Sequence, residues 1–366
     1  MFKVNGEVLQ NTVTSLVKGA KKARLGEKAC FIKTEGSFVS FYFNGDDLQV
    51  EKKIEAEITG NLDIATSMLE LDLKVSALPS DEEIIVELEG SLLNLRWGRS
   101  SKIACETIAE TAPLIDIPNT IETVTWEPGI LHSFSRSMPP FAALSNSQMA
   151  KANPCLQGLY FAMDDTGEVL IRASNGARAV TLRSEKVKWF EGMQFSIPTE
   201  SICGLADLLP SDSEISIGIN EARTLLVFQA GLTTAVSRLL AGKFPDIDRS
   251  YSDKDAAGTK WTFDRMELIE LCRRARRLAP SRPVITFRTE GAKTKIDLES
   301  ILTQQLGAMC EGEQFEFAVN AEYVELAASL FRTEEILILF KDKTSPLTIA
   351  CEQTDHIRAL VGQMQK

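Results

Sequence analysis

The chain has 366 residues, 44% of them hydrophobic and 25% charged, and carries a formal net charge of −11. That length predicts two or three domains, and that balance predicts a soluble globular protein. The charge argues against a nucleic-acid binder held by a generally basic surface, but not against one whose cations are gathered on a single face.

From the N-terminus, Met1-Phe2-Lys3-Val4 has neither the apolar stretch nor the small-residue cleavage site of a signal peptide, so none is expected. A helix-like window then runs over Glu7 to Ala20. Two more windows of this kind open later parts of the chain, Pro128 to Met138 and Asp264 to Leu278. A second set covers Asp63 to Leu71, Pro198 to Leu208 and Ala321 to Leu330, with Thr199 and Asn320 as expected N-caps. Alternating runs fill the intervals. One example is Leu156 to Met163, then the turn Asp164-Asp165-Thr166-Gly167, then Glu168 to Ala173.

The order repeats. Leu78-Pro79-Ser80-Asp81 returns as Leu209-Pro210-Ser211-Asp212, each followed by two short apolar strands across a turn. A looser third copy starts at Ser329-Leu330-Phe331-Arg332 and continues through Glu335 to Phe340 and Pro346 to Ala350. Each third therefore reads helix, strands, helix, strands, and the thirds fit 1–121, 122–250 and 256–366. Repeats of this length are duplicated domains rather than solenoid units. The predicted class is α+β, with two helices packed on antiparallel sheets in each domain.

Catalytic signatures are missing. With two histidines, neither a His-rich metal cluster nor a His-based triad is expected. No phosphate-binding Gly-rich loop follows a strand. The acidic clusters Asp46-Asp47 and Asp81-Glu82-Glu83 fall at turns and read as solvated. Neither a metal, a cofactor nor an enzymatic activity is expected. The seven cysteines form no C-x-x-C pair and read as buried reduced thiols, which suits a cytoplasmic protein. No apolar run is long enough to span a bilayer, and no membrane partner is expected.

Cations do gather. Lys18, Lys21, Lys22 and Arg24 end the first helix window. Arg273, Arg274, Arg276 and Arg277 end the one that opens the last third, with Arg282 just after, and Arg136 holds the matching place in the middle third. Cations favour helix C-termini whatever the function, but the recurrence in all three thirds argues for a shared basic face.

Past the alternating run Leu232 to Leu240, Gly242 and Pro245 break regular structure. Pro245 keeps Phe244 out of helix, so the chain leaves one unit carrying a shaped apolar and charged segment. Phe244-Pro245-Asp246 followed by Arg249, together with the threefold order above, resembles the bacterial sliding clamp, the beta subunit of DNA polymerase III. That resemblance implies three similar DNA-clamp domains per chain and a head-to-tail homodimeric ring around duplex DNA, held without reading sequence. The ring would act as a processivity factor. The basic helix ends, Lys21, Lys22, Arg24, Arg136, Arg273, Arg274 and Arg277, would line its hole.

The same resemblance implies a pocket for short peptides of DNA polymerase subunits and the clamp loader, between the middle and last domains. Its walls would be Leu156, Ser174, Gly176, Ala177, Arg178 and Ala179, then Pro245, Arg249 and Ser250. Asn320, Tyr323, Thr344, Pro346, Leu360, Val361 and Met364 would complete it. Asn175-Gly176 is in addition a hairpin signal with positive φ at both residues. The other reading is a non-ring adaptor of the same fold that uses only the pocket.

Overall fold

The computed structural model describes residues 1–23, 29–109, 116–290, 293–299 and 301–364, the side chains of 289, 290 and 293 excepted. Its helices among these residues are α1 (Gly6–Lys22), α2 (Met68–Val75), α3 (Ile130–Ser135), α4 (Gln148–Ala152), α5 (Thr199–Leu208), α6 (Arg265–Leu278) and α7 (Ala321–Ala328). The chain divides into two compact units, one of Met1–Arg136 with Lys186–Leu240 and one of Ser137–Glu185 with Ala241–Lys366.

In the first unit, one antiparallel sheet takes strands from both the first and the middle third. Its order is Thr120–Trp126, Ile215–Asn220, Leu225–Ala230, Thr233–Arg238, Leu48–Glu55, Phe38–Asn44, Ala29–Glu35, Asp63–Ser67, Ser101–Ile108, Leu92–Trp97, Glu83–Glu89, Phe2–Asn5 and Glu57–Ile58. The thirds join where Thr233–Arg238 pairs with Leu48–Glu55, from Thr233 opposite Lys52 to Ser237 opposite Leu48.

Helix α1 forms because Asn5 caps it, its Oδ1 accepting the Glu7 N–H at 2.9 Å, and because Leu9, Val13, Leu16, Val17 and Ala20 make one buried stripe. It packs on α5 where both helices are smallest. A Cβ on Gly19 would sit 2.3 Å from the Leu208 side chain, and one on Gly204 would sit 2.9 Å from the Gly19 carbonyl oxygen. These glycines set the depth of the helix crossing.

In the second unit, Gly158–Met163, Val169–Ser174, Arg178–Ser184, Thr354–Val361, Leu347–Cys351, Glu335–Phe340, Thr259–Asp264, Leu302–Gly312, Lys293–Leu298, Val284–Glu290 and Phe317–Asn320 run as successive antiparallel neighbours. Helices α6 and α7 belong to this unit. Asp264 caps α6 by accepting from Glu267 N at 2.8 Å, and Asn320 caps α7 by accepting from Glu322 N at 2.8 Å. Trp261, Phe263, Phe287 and Phe317 fill the core beneath, Phe287 and Phe317 stacked at 4.7 Å.

Four local expectations need correction. The window Asp63 to Leu71 is divided. Asp63–Ser67 is a strand paired with Ala29–Lys33, and the helix starts at Met68, where Ser67 Oγ accepts the Glu70 N–H. The window Pro128 to Met138 is helical only over Ile130–Ser135, because Gly129 enters with φ +81° and Pro139 and Pro140 follow. Thr199 is not the N-cap of α5; Pro198 holds that place and no side chain caps the turn. Of Asn175 and Gly176, the glycine alone has positive φ, at +86°. The Asn175 side chain instead accepts the Ala177 and Arg178 N–H groups, making a two-residue turn with glycine first.

The cysteines are free, five of them buried and Cys203 and Cys310 half-buried. Burial pushes the Cys105 thiol up to about 11 and the Cys30 thiol up to about 12, so neither is a nucleophile at neutral pH.

Candidate functional site

Every residue of the expected peptide site falls within the second unit, so its geometry is one continuous piece. It starts with the segment after Leu240. Gly242 has φ +118°, and a Cβ there would lie 2.5 Å from Asn153 Oδ1. The Asn153 side-chain amide donates to the Lys243 carbonyl at 2.9 Å. Phe244 is 5% exposed and stacks on Tyr160 at 4.8 Å. With Ile247 and Tyr251 it joins a buried cluster that contains Leu156, Ala179 and Leu360. Tyr251 donates to Thr181 Oγ1 at 3.0 Å, and burial pushes its hydroxyl up to about 12. Arg172 holds Asp248 at 2.6 Å. Held in this way, the segment presents Pro245 and Arg249 to solvent, with Arg249 paired to Asp246 at 3.1 Å.

The hairpin comes next. Ser174 Oγ donates to the Arg178 carbonyl at 3.1 Å and accepts from Gly176 N at 3.2 Å, which fixes the turn. A Cβ on Gly176 would meet Met149 Cε at 2.8 Å. The Arg178 guanidinium lies over the Tyr323 ring, 4.5 Å from its centroid, and donates to the Pro140 carbonyl. Arg178 Nε is buried with no acceptor among the described residues. Burial lowers the Arg178 pKa, while Tyr323 and Glu322 beside it act the other way. The stack is a cation–π contact in a partly dry setting.

The C-terminal strand closes the group. Arg178 pairs with Val361 and Ala179 with Leu360, and Leu347 pairs with Val361 on the other side. The tail then leaves this ladder. Gly362 N donates to the Ala177 carbonyl at 2.8 Å and Met364 N to the Ala318 carbonyl at 2.8 Å. The Gln363 amide donates to the Ser345 carbonyl at 2.7 Å and the Lys343 carbonyl at 2.9 Å, tying the tail to the turn that carries Thr344 and Pro346.

The expected residues thus come together but play different parts. Leu156, Ala179, Leu360 and Val361 are buried, the first three in the cluster around Phe244. Ser174 is also buried and shapes the turn, while Asn320 caps α7. Gly176, Ala177, Pro245, Arg249 and Thr344 are exposed, and Arg178, Tyr323, Pro346, Ser250 and Met364 are half-buried. Met149, Pro140 and Gln363 escape a sequence reading, as does the stacking of Phe244 on Tyr160. Their roles depend on chain crossings that no local spacing encodes.

The cationic residues form separate groups in the two units. In the first, Lys18, Lys21 and Lys22 are exposed along the C-terminal part of α1, and exposed Arg136 is the C-cap of α3. Arg24 lies outside the described residues. In the second, α6 ends in exposed Arg273, Arg274, Arg276 and Arg277. Arg274 donates to Gln304. Arg273 pairs with Glu270 at 3.0 Å and Glu325 at 3.1 Å, and Arg276 pairs with Glu325 at 2.6 Å. Arg273, Arg276 and Arg277 line a cleft with Pro280, Pro283 and Glu322. No set of side chains among the described residues can hold a metal ion, and no described helix is long and apolar enough to cross a membrane.

No protein-family model and no curated protein sequence matches the chain. Solved structures do. The DNA polymerase III subunit beta from Pseudomonas aeruginosa is 19% identical with a TM-score of 0.85, covering 100% of both chains. The beta subunit from Thermotoga maritima is 19% identical at 0.84, covering 100% of this chain and 99% of that one. The beta chain from Streptococcus pneumoniae TIGR4 is 18% identical at 0.86, with the same coverage. Over its whole length, this chain has the α+β fold of the bacterial DNA polymerase III beta-subunit sliding clamps.

Proposed function

We propose that this protein is a DNA polymerase processivity factor of the cytoplasm. In this reading three domains, 1–121, 122–250 and 256–366, form each chain, and two chains close head to tail into a ring around duplex DNA. It is non-catalytic. Its work is to raise the local concentration of a tethered polymerase at its template. The observation that carries the reading is the whole-chain match to sliding-clamp structures, 100% of both chains for the Pseudomonas aeruginosa subunit.

Two strands support the ring. In Ser101–Ile108, residues Ser101 to Glu106 pair only with Leu92–Trp97 among the described residues. In Leu302–Gly312, residues Leu302 to Gly307 pair only with Lys293–Leu298 among the described residues. Each stretch leaves one edge to be covered. Exposed apolar groups accompany both: Leu73, 73% exposed, on α2, whose helix packs against the first strand, and Met266, 48% exposed, on α6, whose helix packs against the second. A head-to-tail pair would bury one edge of each chain against the other edge of its partner.

Lys21, Lys22, Arg24, Arg136, Arg273, Arg274 and Arg277 would face phosphates, giving sequence-independent contact. Polymerase subunits and the clamp loader would insert a short peptide beside Tyr323 and Met364. Arg178 Nε would donate to that peptide, and Gly176 would allow its backbone to approach.

Light scattering across a dilution series tests the assembly. The expected mass is twice that of the chain at micromolar concentration. Leu73→Asp is expected to shift it to the monomer while the fold is retained. A monomeric wild type would favour the non-ring adaptor instead.

A further inference from the structure

Among the arginines at the end of α6, two share a single carboxylate. Glu325, on α7, accepts from Arg273 Nε at 3.1 Å and from Arg276 Nη1 at 2.6 Å. Its side chain is 13% exposed, while those of the two arginines are 45% and 43% exposed. The carboxylate therefore lies behind the guanidinium groups, and they stand between it and solvent. Arg277, in the same cleft, has no acceptor among the described residues. Glu322 also lines the cleft but makes no ion pair among them.

A half-buried carboxylate bonded to two guanidinium groups attracts them more strongly than a solvated one, because water screens the pair less. A phosphate approaching from solvent must compete with it for N–H donors and meets a cluster whose net charge is already reduced.

We propose that Glu325 limits the grip of this cluster on DNA: by holding Arg273 and Arg276 it leaves Arg277, and Arg274 bonded to the neutral Gln304 amide, as the cations without a carboxylate partner among the described residues, and keeps phosphate contact weak enough for the protein to slide. The proposal rests on the clamp reading, since it presupposes phosphates opposite α6.

The test compares wild type with Glu325→Gln, Glu322→Gln and a Lys21→Ala/Lys22→Ala double variant, measuring binding to a short DNA duplex over a salt series by fluorescence anisotropy. Each phosphate contact contributes about 0.9 to the slope of log affinity against log salt. Because Glu270 still holds Arg273 at 3.0 Å, Glu325→Gln is expected to steepen the slope by about one contact's worth on that scale and to tighten binding at low salt. Glu322→Gln removes the same charge without releasing an arginine, so its effect should be smaller. The Lys21/Lys22 variant should be shallower than wild type.

If Glu325→Gln matches wild type, or changes no more than Glu322→Gln, while the Lys21/Lys22 variant is weakened, Glu325 has no such role. If wild type and the Lys21/Lys22 variant alike show no salt-dependent binding, the DNA reading itself fails. Melting temperatures of the variants separate either result from unfolding.

Discussion

At the residue scale, the candidate site is organised by one stacked pair. Arg178 lies over Tyr323 at 4.5 Å, and buried Leu156, Ala179, Leu360 and Val361 would form the floor of the proposed peptide site. An apolar floor with few polar anchors suits an extended peptide rich in Leu and Phe. Half-buried Met364 would add an adaptable wall able to accept several partner sequences. Small peptides draw their affinity from one or two buried anchors, each worth about 2 kcal/mol. Tyr323→Ala is therefore expected to lower affinity for a polymerase C-terminal peptide by about tenfold or more, roughly 1.4 kcal/mol, with folding and mass unchanged. Calorimetry decides it, and equal affinity would move the partner site elsewhere. The residues proposed for this site could be picked out in the sequence, because Pro245, the Asn-Gly hairpin and the tail sit at recognisable places in a repeated order. Their division into floor and rim was not. Val361 and Met364 are both apolar tail residues, yet one is fully buried between two strands and the other half-open, which depends on a ladder set by residues far away in sequence.

At the element scale, the helices that carry strong periodicity and a capping side chain were legible, α1, α6 and α7 above all. Helix α5 was legible from periodicity although no side chain caps it, whereas the windows around α2 and α3 were read too long. The stretch Asp63 to Leu71 has too few residues to separate a strand from a helix by spacing, and its strand half is fixed by pairing with Ala29–Lys33. Nor does periodicity reveal that α1 and α5 cross on glycine. A Cβ on Gly204 would stand 2.9 Å from the Gly19 carbonyl oxygen and 3.1 Å from Leu48. Gly204→Val must therefore separate the helices or shift Leu48. It is expected to destabilise the first unit by about 1–3 kcal/mol, the usual cost of overpacking, seen as an earlier denaturant midpoint. An unchanged midpoint would mean that the crossing is slack. Helix propensity alone favours valine slightly over glycine, so the sign of the result separates packing from propensity.

At the scale of the whole molecule, the threefold order was visible because the Leu-Pro-Ser-Asp turns recur in register. The compact units do not follow the thirds. The middle third contributes residues 122–136 and 186–240 to one unit and 137–185 and 241–250 to the other, since its strands join sheets shared with its neighbours, and such pairing leaves no mark on a linear repeat. A net charge of −11 coexists with exposed lysines on α1 and arginines on α6, so the sign of the whole does not decide the sign of a face. The proposed function is topological: the protein would hold DNA by surrounding it. The most direct measurement loads the protein onto a nicked circular duplex with its clamp loader, raises the salt until direct electrostatic binding is lost, and compares retention before and after the circle is linearised. The account predicts stable retention on the circle and rapid loss from the linear duplex. Equal retention on both, or none on the circle after loading, would contradict it.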